Sequence, residues 1–211
     1  FSGRRVLVTA GGTREPLDPI RFLGNRSSGQ MGYALAYAAR DRGAQVTLIS
    51  TTGQSVPFGV ELVPVETAAE MQDAVLASLP STDVLLMAAA VADYRPATAA
   101  AQKIKKCEEG LALDLARTPD ILSEVALARR DDQVIVGFAA ETENLIDNAR
   151  DKLQRKGLNL IAAMDARQAM GAATNQITLL GADGSVEELP LLSKDEVAER
   201  ILERIAALLD E

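Results

Sequence analysis

Apolar positions along the chain follow two alternating periods. Val6-Leu7-Val8-Thr9-Ala10 is a nearly continuous apolar run that stops at Gly11-Gly12, the pattern of a strand buried on both faces of a parallel sheet. From Gly29 to Arg42 the period changes: Met31, Ala34, Leu35 and Ala38 recur at helical spacing, and Gly43 follows where a helix ends. The same alternation predicts strands over 46–50, 60–65, 84–88, 134–138 and 158–162, with helices over 68–79, 119–129 and 144–156. Strands separated by helices of this length need right-handed crossovers. The pattern therefore predicts a doubly wound, mostly parallel α/β sheet of Rossmann-like kind, three layers thick. Near the C-terminus, Ile177 to Leu180, the turn 182–185 and Val186 to Leu189 read as a β-hairpin for the sheet edge. Ser193 and Glu196 form a capping box opening a last helix, with Val197, Ile201, Ile205 and Leu208 on one stripe.

Composition narrows the function classes. The 211 residues suit one domain. Lys+Arg number 22 against 30 Asp+Glu, and the resulting charge of −8, with 3% aromatic residues and no Trp, excludes the basic field and stacking surfaces of a nucleic-acid binder. The longest apolar run, from Val84 to Ala92, is about half of the ~20 residues a membrane-spanning helix needs. A single cysteine, Cys107, cannot close an internal disulfide, so the chain reads as a cytoplasmic protein. The absence of histidine removes Ser-His-Asp and Cys-His triads and every His-ligated metal site. Catalysis is left to Lys, Arg, Asp, Glu, Asn and backbone amides.

Ligands of an open parallel sheet bind beyond the carboxyl ends of its strands, which singles out four segments. The first runs from Thr9 through Gly11, Gly12 and Arg21 to Asn25 and Ser27-Ser28-Gly29. Its adjacent glycines admit an anion to the backbone, and Ser27 and Ser28 precede a helix N-terminus that favours phosphate, although a long loop also needs such residues for its turns. It lacks G-x-G-x-x-G, and Ser50-Thr51 stands where a dinucleotide fold places a ribose carboxylate, which disfavours an ordinary NAD site. The second is Ala88-Ala89-Ala90-Val91-Ala92-Asp93, small enough for contact with a base or ribose, with Asp93 either a ligand or a helix cap. The third, Lys103-Ile104-Lys105-Lys106, is either a solvated surface or a cationic lid over phosphates, and Cys107 beside it has no histidine base to activate it. The fourth joins Thr118-Pro119-Asp120, read as Thr cap and Pro at the first helical position, to Phe138, the aromatic available to a base, and to Lys152 and Lys156, one turn apart on a helix face. By pattern alone, an NAD(P)-dependent oxidoreductase or a non-catalytic nucleotide-sensing module remains open.

Taken together these segments resemble bacterial phosphopantothenoylcysteine synthetase, the ligase domain of the bifunctional coenzyme A biosynthesis protein. The resemblance rests on 8–19, Asn25 with Ser27-Ser28-Gly29, Ala89 to Arg95, Lys103 to Lys106, Pro119 to Leu122 and Gly137 to Thr142, and covers nearly the whole chain. It implies a CTP-dependent ligase that joins 4'-phosphopantothenate to L-cysteine through an acyl-cytidylate, with Mg2+ or Mn2+, in a homodimer. It also implies a flavin-dependent decarboxylase upstream in a longer bifunctional chain. Position by position, Asn25 corresponds to the family's catalytic asparagine, Lys103 to a lysine of its mobile loop and Arg21 to an arginine of the second half-reaction. Asp93, Pro119, Asp120, Ile121, Leu122, Phe138, Lys152 and Lys156 fall where family members contact CTP. Met164 departs from the pattern, since the family often has Asn there.

Overall fold

In the computed structural model, which describes residues 1–56, 58–106, 110–169 and 174–209, the apolar runs become the strands of one central sheet. The first half of the chain forms β1 (Arg5–Ala10), β2 (Arg14–Pro16), β3 (Phe22–Gly24), α1 (Gln30–Asp41), β4 (Gln45–Ser50), β5 (Val60–Pro64), α2 (Ala68–Ser78), β6 (Val84–Met87), β7 (Tyr94–Pro96) and β8 (Leu115–Arg117). The second half forms α3 (Ile121–Ala128), β9 (Val134–Glu141), α4 (Leu145–Arg155), β10 (Leu160–Asp165), α5 (Ala166–Ala169), β11 (Thr174–Asn175), β12 (Ile177–Gly181), β13 (Val186–Glu188), β14 (Leu192–Ser193) and α6 (Lys194–Leu209). The sheet has eight strands in the order β13-β12-β10-β9-β6-β1-β4-β5. It is parallel from β10 to β5, and the hairpin β12–β13 closes one edge antiparallel, as the pattern predicts. Among the described residues no helix is long and apolar enough to cross a membrane.

Alternation along the buried strands splits the core in two. Val6, Val8, Val84, Leu86, Val136, Leu160 and Ala162 pack beneath α1 and α6, where Val197, Ile201 and Ile205 are buried as the C-terminal stripe requires. Leu7, Leu85, Ile135 and Ile161 pack beneath α2, α3 and α4 against Met71, Val125, Ala149 and Leu153. The expected capping box forms, Glu196 N–H donating to Ser193 Oγ at 3.2 Å, and the structure adds a second at the start of α2, where Glu70 N–H donates to Thr67 Oγ1 at 3.2 Å.

Several boundaries move. The strand expected over 158–162 is β10, Leu160–Asp165, because Leu158 N–H still closes the α4 terminus on Leu153 O and the Asn159 carboxamide accepts Ile135 N–H. The preceding strand reaches Glu141, which pairs with Asp165. The cap of α3 is Asp120 rather than Thr118: Asp120 accepts Ser123 N–H, while the Thr118 hydroxyl donates to Ala92 O and leaves Pro119 outside the helix.

Helix α1 packs directly against β1, and Gly32 permits this. A Cβ there would lie 2.6 Å from Ala10 Cβ and 2.7 Å from Thr9 O, both on the strand. Gly32→Ala is expected to lower the unfolding free energy by about 1–3 kcal/mol by forcing helix and strand apart. Urea unfolding checks this, and an unchanged midpoint would show that the layer spacing has slack.

Candidate functional site

Between β1 and β6 the chain's winding reverses, and the loops leaving these two strands are tied to each other. Gly12 and Ala90 form a parallel bridge, Ala90 N–H donates to Gly11 O at 2.8 Å, and Thr13 N–H donates to Ala90 O at 3.3 Å. Two buried threonines continue the seam: Thr9 Oγ1 accepts Ala89 N–H at 3.1 Å, and Thr13 Oγ1 accepts Ala92 N–H at 2.9 Å. Gly11 has φ 89°, and a side chain at Gly12 would strike Asn25 O at 2.5 Å. The two glycines thus let the segment carrying Asn25 lie directly on the first loop. Asn25 then reaches across the crevice, its Nδ2 donating to Val91 O at 3.0 Å.

Beside Asn25 is the start of α1, a twelve-residue helix entered through Gly29 at φ 78° with no side-chain cap. Its first amides have no carbonyl within the helix to meet. Ser27 and Ser28 are exposed at this end, and Gln54 Nε2 fixes Ser28 O at 2.9 Å. At the end of β4, Ser50, Thr52 and the Tyr33 hydroxyl interconnect at 3.1–3.3 Å, a hydroxyl cluster where a dinucleotide fold carries its acidic residue.

The opposite wall belongs to α3 and α4. Lys156 is buried and donates to Asp120 and, at 2.7 Å, to Ser123 Oγ. Partial burial works against the charge on Asp120, but Lys156 and the Ser123 amide outweigh it and hold the carboxyl below its usual range. Lys152 donates to Phe138 O at 2.8 Å. Burial pushes its ammonium below the usual lysine range, opposed by the charges of Glu141, Asp120 and Asp93. Ile121 and Leu122 lie in the core beneath this wall. Asp93 is exposed and caps no helix, since β7 follows it directly. Ala88 and Phe138 pack against the other core, beneath α1 and α6, whereas Ala89 faces the α2–α4 side. The Phe138 ring and the two lysines therefore lie on opposite faces of the sheet's edge.

Arg21 and the lysine-bearing loop meet at Asp18 and Ile104. The Asp18 side chain is wholly buried and forms an ion pair with Arg21 at 2.5 Å. Its carboxylate also accepts Ile104 N–H at 3.1 Å, and Arg21 Nη2 donates to Ile104 O at 2.8 Å. Lys103 is exposed and makes no ion pair among the described residues. Glu15, buried, accepts Ala68 N–H at 2.9 Å and so seats the β2–β3 ribbon on the start of α2. The signal for Asp18 was local: Asp before Pro initiates a turn, and here Asp18 Oδ1 accepts the amides of Ile20 and Arg21 at 2.9 Å. Cys107 lies outside the described residues. Those residues contain no group of three or more Asp, Glu, Cys or His placed to hold a metal.

The "Coenzyme A biosynthesis bifunctional protein CoaBC" of Bacillus subtilis (strain 168) is 46% identical over 213 residues, which is 99% of this chain and 52% of that protein. The chain thus spans about half the length of the curated relatives it matches. A crystal structure of the C-terminal domain of a CoaBC protein superposes with a TM-score of 0.86 at 42% identity, covering 100% of this chain and 97% of that one. A Cab2 mutant in complex with phosphopantothenate-cysteine superposes with a TM-score of 0.81 over 98% of this chain and 86% of its own, and at 17% identity this is a likeness of fold. The model of the DNA/pantothenate metabolism flavoprotein C-terminal domain matches residues 1–209, and the chain belongs to that family.

Proposed function

We propose that this chain is the CTP-dependent ligase that joins 4'-phosphopantothenate to L-cysteine in coenzyme A biosynthesis, releasing pyrophosphate and CMP. The observation that carries the reading is the Asn25 carboxamide held on Val91 O across the crevice, beside an uncapped helix N-terminus. In the first step the substrate carboxylate attacks the α-phosphorus of CTP and expels pyrophosphate, giving an acyl-cytidylate. In the second the cysteine amine attacks the acyl carbon and CMP leaves. Neither step needs a protein nucleophile, in keeping with a chain that has no histidine.

The chain's own residues then divide the work. Gly11, Gly12, Ser27 and Ser28 with the free amides of α1 receive phosphate, and Lys103 offsets the charge that accumulates as pyrophosphate departs. Ala89, Asp93, Pro119, Asp120, Lys152 and Lys156 hold the nucleotide from the α3–α4 side, with Ile121 and Leu122 supporting that wall from the core, and Ala88 and Phe138 meet it only across the strand ends, from the α1–α6 side. One Asn25 N–H is taken by Val91, and the second, with no partner among the described residues, serves the oxyanion of the amide-forming step. Arg21, which the resemblance links to that step, stands in the same β2–β3 segment as Asn25. Mg2+ or Mn2+, when bound with the triphosphate, would supply charge neutralisation there. A single carboxylate such as Asp93 suits that arrangement, because Mg2+ is commonly held by one or two carboxylates plus substrate phosphates.

A homodimer belongs to the same reading. Ile20, Phe22, Tyr94, Leu111, Leu113 and Leu115 are six of the ten large apolar side chains exposed among the described residues. All six lie on or beside the β2–β3 and β7–β8 ribbons, a concentration that suits a second copy of the chain. A monomer mass by light scattering at micromolar concentration would remove this part.

Incubating the protein with CTP, Mg2+, phosphopantothenate and cysteine, and omitting each in turn, tests the whole. Pyrophosphate is expected to require phosphopantothenate, and CMP release to require cysteine as well. CTP binding without turnover would reduce the chain to a nucleotide-binding module.

A further inference from the structure

The lysine-bearing loop is held by a device that the reaction scheme does not yet use. Both backbone groups of Ile104 are taken by one ion pair: its N–H by Asp18 Oδ2 at 3.1 Å, its C=O by Arg21 Nη2 at 2.8 Å. Arg21 is itself fixed to Asp18 through Nε at 3.0 Å and Nη2 at 2.5 Å. A third bond, Ala100 N–H to Leu17 O at 2.9 Å, ties the start of the same loop to the same turn. The Ile104 N–H lies in the peptide plane that contains the Lys103 Cα, and its C=O lies in the plane that contains the Lys105 Cα. Fixing both groups therefore fixes the backbone from which both exposed lysines project, across a sequence separation of 86 residues.

We propose that Asp18 is the positioning residue for Lys103, acting directly on the Ile104 amide and through Arg21 on the Ile104 carbonyl. The inference rests on the ligase reading for its consequence in catalysis, and on geometry alone for the placement of the loop. A fully buried carboxylate with five donors converging on it is costly to build unless the geometry it imposes is used. The Arg21 hydrogen bond, with the amides of Ile20, Ile104 and Arg21, holds the Asp18 carboxyl well below the usual carboxylate range against the effect of its burial. The clasp is thus charged at neutral pH.

The test uses Asp18→Asn, with Ile104→Pro as a second variant that deletes the amide Asp18 accepts and leaves Asp18 in place. Hydrogen exchange over residues 100–106 without ligand is expected to quicken about tenfold or more in both. Single-turnover pyrophosphate release is expected to slow about 10- to 100-fold in Asp18→Asn, while the double variant with Lys103→Ala is no slower than Lys103→Ala alone. Additive losses in the double variant, or unchanged exchange over 100–106, would overturn the proposal. Absence of pyrophosphate from the wild-type protein would instead overturn the ligase reading, and exchange alone would then decide whether the clasp places the loop.

Discussion

Replacing Asn25 by alanine is expected to leave pyrophosphate release close to normal and to slow amide formation by about 100- to 1000-fold, the ~3–4 kcal/mol that loss of one oxyanion donor costs. The reason lies in when the donor is needed. In the first of the two proposed half-reactions, charge would build on phosphate oxygens, where helix amides and lysine cations would serve. In the second, the acyl carbonyl becomes tetrahedral and its oxygen carries the charge. Asn25 has a donor to offer because Val91 O, 3.0 Å away, occupies only one of the two N–H bonds and holds the carboxamide in place. Asn25→Asp should be at least as damaging: it exchanges the donor for an acceptor, adds a negative charge facing the oxyanion, and sets a carboxylate against Val91 O. Acyl-cytidylate is expected to accumulate in both variants and is read by quenching single turnovers before and after addition of cysteine. Normal amide formation by the alanine variant would remove Asn25 from the mechanism.

What the sequence revealed and what it concealed follow from the range of the interactions involved. The parallel strands, the edge hairpin and the Ser193–Glu196 capping box were legible because burial on one or both faces writes its period into neighbouring residues. The ribbons β2–β3 and β7–β8 were not. Their strands are three residues long, largely exposed, and paired across loops, so they leave no period to read. Thr118 and Asp120 are both good caps, and the choice fell to Asp120 because Ala92 O, 26 residues away, claimed the Thr118 hydroxyl. Phe138 illustrates a reading that strand parity already contained: Val134, Val136 and Phe138 share a face beneath α1 and α6, opposite the face on which Lys152 and Lys156 stand. Glu15 and Asp18 look like turn residues in sequence, and only their partners at Ala68 and Ile104 show that they dock the ribbon and the lysine loop.

Lys103→Ala is expected to act on the other half of the reaction, slowing single-turnover pyrophosphate release by about 100-fold while amide formation from preformed acyl-cytidylate stays near the wild-type rate. The structure separates this effect from stability. Lys103 is exposed and makes no ion pair among the described residues, so its removal should move the unfolding free energy by no more than about 0.5 kcal/mol. A melting temperature that stays put while pyrophosphate release collapses would mark a residue whose only partner is the substrate. Lys103→Arg tests the kind of contact: it keeps the charge but spreads it over a planar fork, so a point contact to one phosphate oxygen should be partly restored and the rate should fall between wild type and alanine. Because an exposed cation acts on phosphates through solvent-screened attraction, the wild-type advantage over Lys103→Ala should also shrink as salt rises. Unchanged pyrophosphate release in the alanine variant would place the charge compensation elsewhere, with Lys105 and Lys106 of the same loop the next cations to replace.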